Sequence, residues 1–139
     1  MDRPTIVTNS FKIYIMYIDK FKMEDGTYKN EEGVSFKDAK SFISISVFGI
    51  CGCSGEEWVE IIVKTLIHFN TWIDTGKYWG DLVKDVYLDN ESAAYIVANL
   101  LDNKGFIEHG TAIRGSWITD KGKELLSDIQ EIFEIKVAL

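Results

Sequence analysis

The stretch ESAAYIVANLLDNKGFIEHGTAIRGSWITDKGKELL, residues 91–126, decides the fold because its hydrophobic period changes twice. Asn90 offers a side-chain oxygen as an N-cap, and apolar residues follow at helical spacing through Ala93, Val97, Leu100 and Leu101. Gly105 then stands where a helix-ending glycine belongs, since only glycine turns left-handed at no steric cost. Beyond it, FIEH, GT and AIRGSWI read as a strand, a turn and a returning strand. Thr119 caps a last helix whose stripe is Leu125, Leu126, Ile129, Ile132 and Phe133.

Working back toward the N-terminus, Ser54 followed by Glu57 forms a capping box, and Glu56–Glu57 suits a positive helix N-terminus. Trp58, Ile62, Leu66, Phe69 and Ile73 share one stripe, with Val59 beside it, so the spacing predicts a helix over 55–73. DTGKYWG breaks that helix, and DLVKDVYL predicts a short one over about 80–88. Residues 10–23 alternate as a strand would, yet also present a helical stripe behind Ser10; their length favours helix. Residues 24–33 are polar with two glycines and read as a loop. Residues 35–48 open like a helix capped by Ser35 and end in β-branched alternation, leaving helix and strand both open.

These readings sum to a single mainly α domain over residues 1–139. A helical or mixed segment, 1–53, precedes a unit, 54–139, of helices and one two-stranded hairpin. With 46% hydrophobic and 13% aromatic residues, the 139-residue chain can build a core without metal or disulfide support. Residues 1–76 hold 8 Lys/Arg against 11 Asp/Glu, and residues 77–139 hold 7 against 11. Neither half is therefore a masked basic module, and a net charge of −7 opposes broad attraction to phosphate backbones. MDRPTIVTNS lacks the pattern of a signal peptide, and no apolar run reaches the ~20 residues that span a bilayer. The expectation is a cytoplasmic chain without membrane contact.

Residues 97–126 resemble the C-terminal half of a winged-helix domain. The matching pieces are NLLDNKGFI, the hairpin up to Trp117, and ITDKG opening the next helix; residues 80–88 would be the first helix of the helix-turn-helix. The whole chain is also similar to small phage-encoded proteins that carry an FGxCxC turn before a helix and GSWxTxKG near the end; here these are FGICGC (48–53) and GSWITDKG (115–122). The first resemblance implies a DNA-reading helix over 91–104. Its outer face would present Glu91, Ser92, Tyr95, Asn99, Asp102 and Asn103, with no Lys or Arg. Groove-reading helices rely on cations for phosphate and often arginine for guanine, and only Lys104 and Arg114 offer positive charge nearby. The scaffold is therefore expected to serve packing or protein contact. A dimeric winged-helix DNA-binding transcription regulator is the alternative.

GICGCSG (49–55) is the most chemical-looking stretch in the chain. Cys51 and Cys53 with His68 and His109 would number four metal ligands, but their spacing matches no zinc pattern. A disulfide between residues two apart is strained. The stretch reads instead as a small-residue turn in which cysteine fills space. Asp81, Asp85 and Asp89 recur every fourth residue and read as a solvated helix face. No phosphate-cradling glycine loop and no GxSxG occur, so no enzyme and no cofactor are expected. Trp72, Tyr78 and Trp79 flank a helix-to-helix turn, where aromatics serve either a core or an interface. An acidic surface with aromatic anchors suits a basic protein partner, one that itself grips nucleic acid. The phage-protein similarity implies that the chain binds or inhibits a host or defence protein, as a monomer or a homodimer. The interaction candidates are Trp72, Tyr78, Trp79, Tyr95, Asn99, Asp102 and Arg114.

Overall fold

A computed structural model describes residues 6–7, 12–13, 17–50 and 55–134. Strand β1 (Ile6–Val7) pairs antiparallel with β2 (Lys12–Ile13), Ile6 opposite Ile13. Lys12 and Ile13 thus follow the alternating reading of 10–23, not the helical one. Only Tyr17–Phe21 turns, as a 3-10 helix. Strands β3 (Tyr28–Lys29) and β4 (Ser35–Phe36) form a second hairpin inside a stretch expected to be loop and helix start. Asn30 makes this hairpin: its side-chain oxygen accepts the Val34 N–H at 2.9 Å, while Gly33 takes a φ of +83°. Buried Tyr28 then holds the strand to the core.

Helix α1 (Ala39–Ser41) is capped by Asp38, whose carboxylate accepts the Ser41 N–H at 2.8 Å; Ser35, the expected cap, lies in β4 instead. The chain then widens into a π-helical stretch, Phe42–Val47. Burial explains why the sequence left helix and strand both open here. Phe42 and Ile43 are buried, Ile45 is exposed, and Val47 and Phe48 are buried again, a recurrence of five. The Phe48 N–H correspondingly reaches back to the Ile43 carbonyl.

Helix α2 (Gly55–Thr75) is the spine of the fold; Ser54, its expected cap, lies outside the described residues. Val59, Ile62, Val63, Leu66 and Phe69 are buried, whereas Trp58 and Ile73, at the ends of the expected stripe, face out. Buried Thr65 hydrogen-bonds the Tyr87 hydroxyl at 2.6 Å, tying α2 to the turn after α3 (Trp79–Asp85). Burial pushes the Tyr87 phenol up to about 12, against a smaller lowering by the Thr65 hydrogen bond.

Helix α4 (Glu91–Asn103) begins where Asn90 accepts the Ala93 N–H at 3.2 Å. It ends in a Schellman turn: Phe106 N–H to the Leu101 carbonyl, Gly105 N–H to the Asp102 carbonyl, and Gly105 at φ +79°. Its inner face is rotated from the expected one. Ala94, Val97, Ala98 and Leu101 are buried, and Ala93 and Leu100 are only half-buried. Small side chains at 94 and 98 let α4 approach its neighbours closely.

Strand β5 (Ile107–Glu108) pairs antiparallel with β6 (Trp117–Ile118), Ile107 opposite Ile118. The hairpin exists, but its return differs from expectation. Ile113–Gly115 form a 3-10 turn, so only Trp117 and Ile118 belong to the strand. Helix α5 (Asp120–Ile132) packs back on α2 with Leu125, Leu126 and Ile129 buried and Ile132 and Phe133 half-buried. The mainly helical class therefore stands, with three two-stranded antiparallel sheets among the described residues.

Candidate functional site

Thr119 shows how tightly the C-terminal unit is stitched. Its hydroxyl donates to the Gly105 carbonyl at 2.7 Å and accepts the Gly122 N–H at 3.1 Å, while its own N–H reaches the Phe106 carbonyl. This rigid frame carries the aromatic corner formed where α2 turns into α3.

Gly76 ends α2 in the left-handed conformation, φ +71°, with its N–H on the Trp72 carbonyl. The Tyr78 N–H then donates to the Asp81 carboxylate at 2.9 Å, starting α3 immediately. This short turn throws consecutive aromatics in opposite directions. Trp79 is 8% exposed and serves the core. Its indole donates to Glu91 at 2.8 Å, and its ring lies against Tyr95 at 4.8 Å and Phe69 at 6.5 Å. Tyr78 stands 63% exposed with its ring 5.9 Å from that of Trp72. The Trp72 indole donates to the Ser116 carbonyl at 2.8 Å, locking it beside the hairpin return. Next in the chain to Trp72 and Ser116, Ile73 is 72% and Trp117 43% exposed. By spacing, Ile73 belongs to the apolar stripe of α2 and Trp117 to the end of the hairpin, and neither stands among the contact candidates. Trp117 could have been found from strand alternation, because its neighbour Ile118 is buried.

Of the interaction candidates, half-buried Trp72 meets exposed Tyr78, whereas half-buried Tyr95 meets buried Trp79. Trp79 is thereby removed as an open contact residue. Asn99 is exposed and donates to the Tyr95 carbonyl, and Asp102 bonds His109 Nδ1 at 2.9 Å, joining the α4 end to the hairpin. Arg114 is exposed on the 3-10 turn, which packs against α4. These three residues belong to the α4–hairpin side and not to the aromatic corner.

A groove of about 270 Å³ runs between α2 and α3 beside the corner. Ile67, Leu82 and Val86 supply apolar walls, Asp81 and Asp85 lie along α3, Lys64 lies on α2, and Lys77 stands in the loop between the two helices. His68 also lines it, half-buried and with its Nε2 buried without a hydrogen-bond partner. Burial lowers the imidazole pKa, and the negative charge of Asp81 opposes that shift. Asp81 and Asp85 are exposed, as a solvated face should be, but Asp89 is not on it. It lies past the end of α3 with φ +67°.

Among the described residues, no three His, Asp, Glu or Cys side chains gather into a metal-binding group, and Cys51 and Cys53 lie outside those residues. No helix of the described residues is long and apolar enough to cross a membrane. No family model, curated protein or solved structure matches the chain.

Proposed function

We propose that the chain is a non-enzymatic interaction protein that binds a basic protein partner through the Trp72–Tyr78 corner. The observation that carries this reading is Tyr78, largely exposed yet braced against a tryptophan that is itself hydrogen-bonded in place. Rigid aromatics lose little conformational freedom on binding and dominate interface energetics. Ile73 and Trp117 extend the apolar surface, and the net charge of −7 steers a basic partner toward it. The similarity to small phage-encoded proteins supports a host or defence protein as the target, one that grips nucleic acid.

The order of α3, α4, the β5–β6 hairpin and α5 supports a winged-helix-like scaffold over residues 79–132. A second reading, a regulator that reads duplex DNA, has exposed Arg114 in the hairpin connection in its favour. Against it, the described outer face of α4 offers Glu91, Ser92, Ile96, Asn99 and Asn103 and no cation before Lys104.

Affinity capture from host lysate, comparing the wild type with Ile73→Ser/Tyr78→Ala, tests the first reading. A basic nucleic-acid-binding protein should be retained by the wild type and lost by the double variant at unchanged Tm. Tight, salt-sensitive polarisation of labelled duplex DNA, with no protein captured, would replace the first reading by the second.

A further inference from the structure

We infer that the groove between α2 and α3 receives a single arginine side chain of the basic partner, an inference that rests on the protein-binding reading above. Cavities for cofactors and drug-sized ligands run from about 300 to 1,000 Å³. At about 270 Å³ this groove lies at the lower edge of that range and has room for one long side chain. Ile67, Leu82 and Val86 provide the apolar surface that covers a methylene stem. Asp81 and Asp85 stand one helical turn apart on the same wall, a spacing that a planar guanidinium with five donors bridges. A lysine ammonium presents a single hydrated point charge and meets one carboxylate at a time.

The groove is tied to the aromatic corner through the backbone. Asp81 on its wall accepts the Tyr78 N–H, and Thr71, Thr75 and Lys77 of its lining flank Trp72 and Tyr78 in the chain. On α2, Lys64 has its charge matched by Glu60 at 3.4 Å, and Lys77 stands in the loop before α3. The acidic wall therefore belongs to α3, while the α2 side carries Lys64, whose charge is already matched. This sets the direction of entry: stem past the α2 side, guanidinium toward α3.

The test is a titration of the intact protein with Nα-acetyl-arginine N-methylamide, and separately with its lysine counterpart, followed by amide ¹H–¹⁵N spectra at low salt. Saturable shifts should concentrate on residues 64–75 and 77–86, with the lysine compound several-fold weaker. Asp85→Asn, at an exposed site, should weaken the arginine compound about tenfold, the loss of one charged contact, without moving Tm. Equal response to both compounds, shifts scattered over other acidic residues, no saturable shift at the solubility limit, or indifference to Asp85→Asn each overturns the inference. A wild type that captures its partner through Tyr78 but ignores the arginine compound loses only the groove. A groove that binds arginine in a chain that retains no partner removes the protein-binding reading instead.

Discussion

The carboxylate of Asp128 accepts the backbone N–H of Ile18 at 3.0 Å, across 110 residues of sequence and with both residues fully buried. This bond fastens the 3-10 turn at Tyr17–Phe21 to α5. Asp128→Ala should lower stability by about 2–3 kcal/mol, because a buried donor is left without its acceptor. Asp128→Asn, which keeps an acceptor oxygen, should lose less. Urea denaturation of the two variants checks this, and equal losses would show that the N–H was not the group at stake.

Gly122 sits in the first turn of α5 where a Cβ would lie 2.2 Å from the Phe106 carbonyl oxygen and 2.7 Å from Ile118. That carbonyl already accepts the Thr119 N–H, so retreating from a Cβ would cost this bond. Gly122→Ala should therefore cost about 2 kcal/mol or more, opposite in sign to the usual gain from alanine in a helix. A Tm at or above wild type would refute this close approach.

The Thr65–Tyr87 pair predicts a dependence on alkaline pH. A phenol raised to about 12 in the folded chain, from an ordinary 10, keeps its proton in the native state while the unfolded state releases it. Its contribution is complete below pH 10 and is lost as pH climbs toward 12. Tyr87→Phe should cost about 1 kcal/mol at neutral pH, from the lost hydrogen bond, and should flatten the fall in Tm over that alkaline window. Thermal melts at stepped pH from 8 to 11 measure both effects.

His68 predicts the opposite end of the scale. Its folded pKa lies below the ordinary 6.5, so protonation favours the unfolded chain. Stability is unaffected above 6.5 and declines as pH falls from there toward the folded value. His68→Leu removes the buried unpartnered Nε2 and should raise stability by about 1 kcal/mol at neutral pH. The advantage should widen at pH 5. A variant less stable than wild type at both pH values would show that the imidazole has a partner in solution.

Some of this was legible in the chain. The caps at Asn90 and Thr119, the terminating Gly105 and the stripe of α2 act through contacts within a few residues, so sequence spacing alone places them. The acidic balance and the aromatic-rich turn at 72–79 were equally visible. The second hairpin was not: Asn30 and Gly33 make its turn locally, but the strands flanking it are two residues each and are held by Tyr28 and Phe36 packing on Phe42, which spacing does not show. Nor was the π-helical stretch, whose five-residue burial period matches neither of the two usual templates.

Local chemistry therefore determined where most elements begin and end, because capping, turn formation and amphipathic spacing are short-range forces. Tertiary structure decided the faces that the hydrophobic pattern left open. It turned α4 to bury Ala94 and Ala98, and sent Trp79 inward while leaving Tyr78 exposed against Trp72. It also set Asp81 and Asp85 along a groove floored by another helix. Those outcomes depend on close packing between segments far apart in sequence, which selects one rotation per helix from several that the hydrophobic pattern permits.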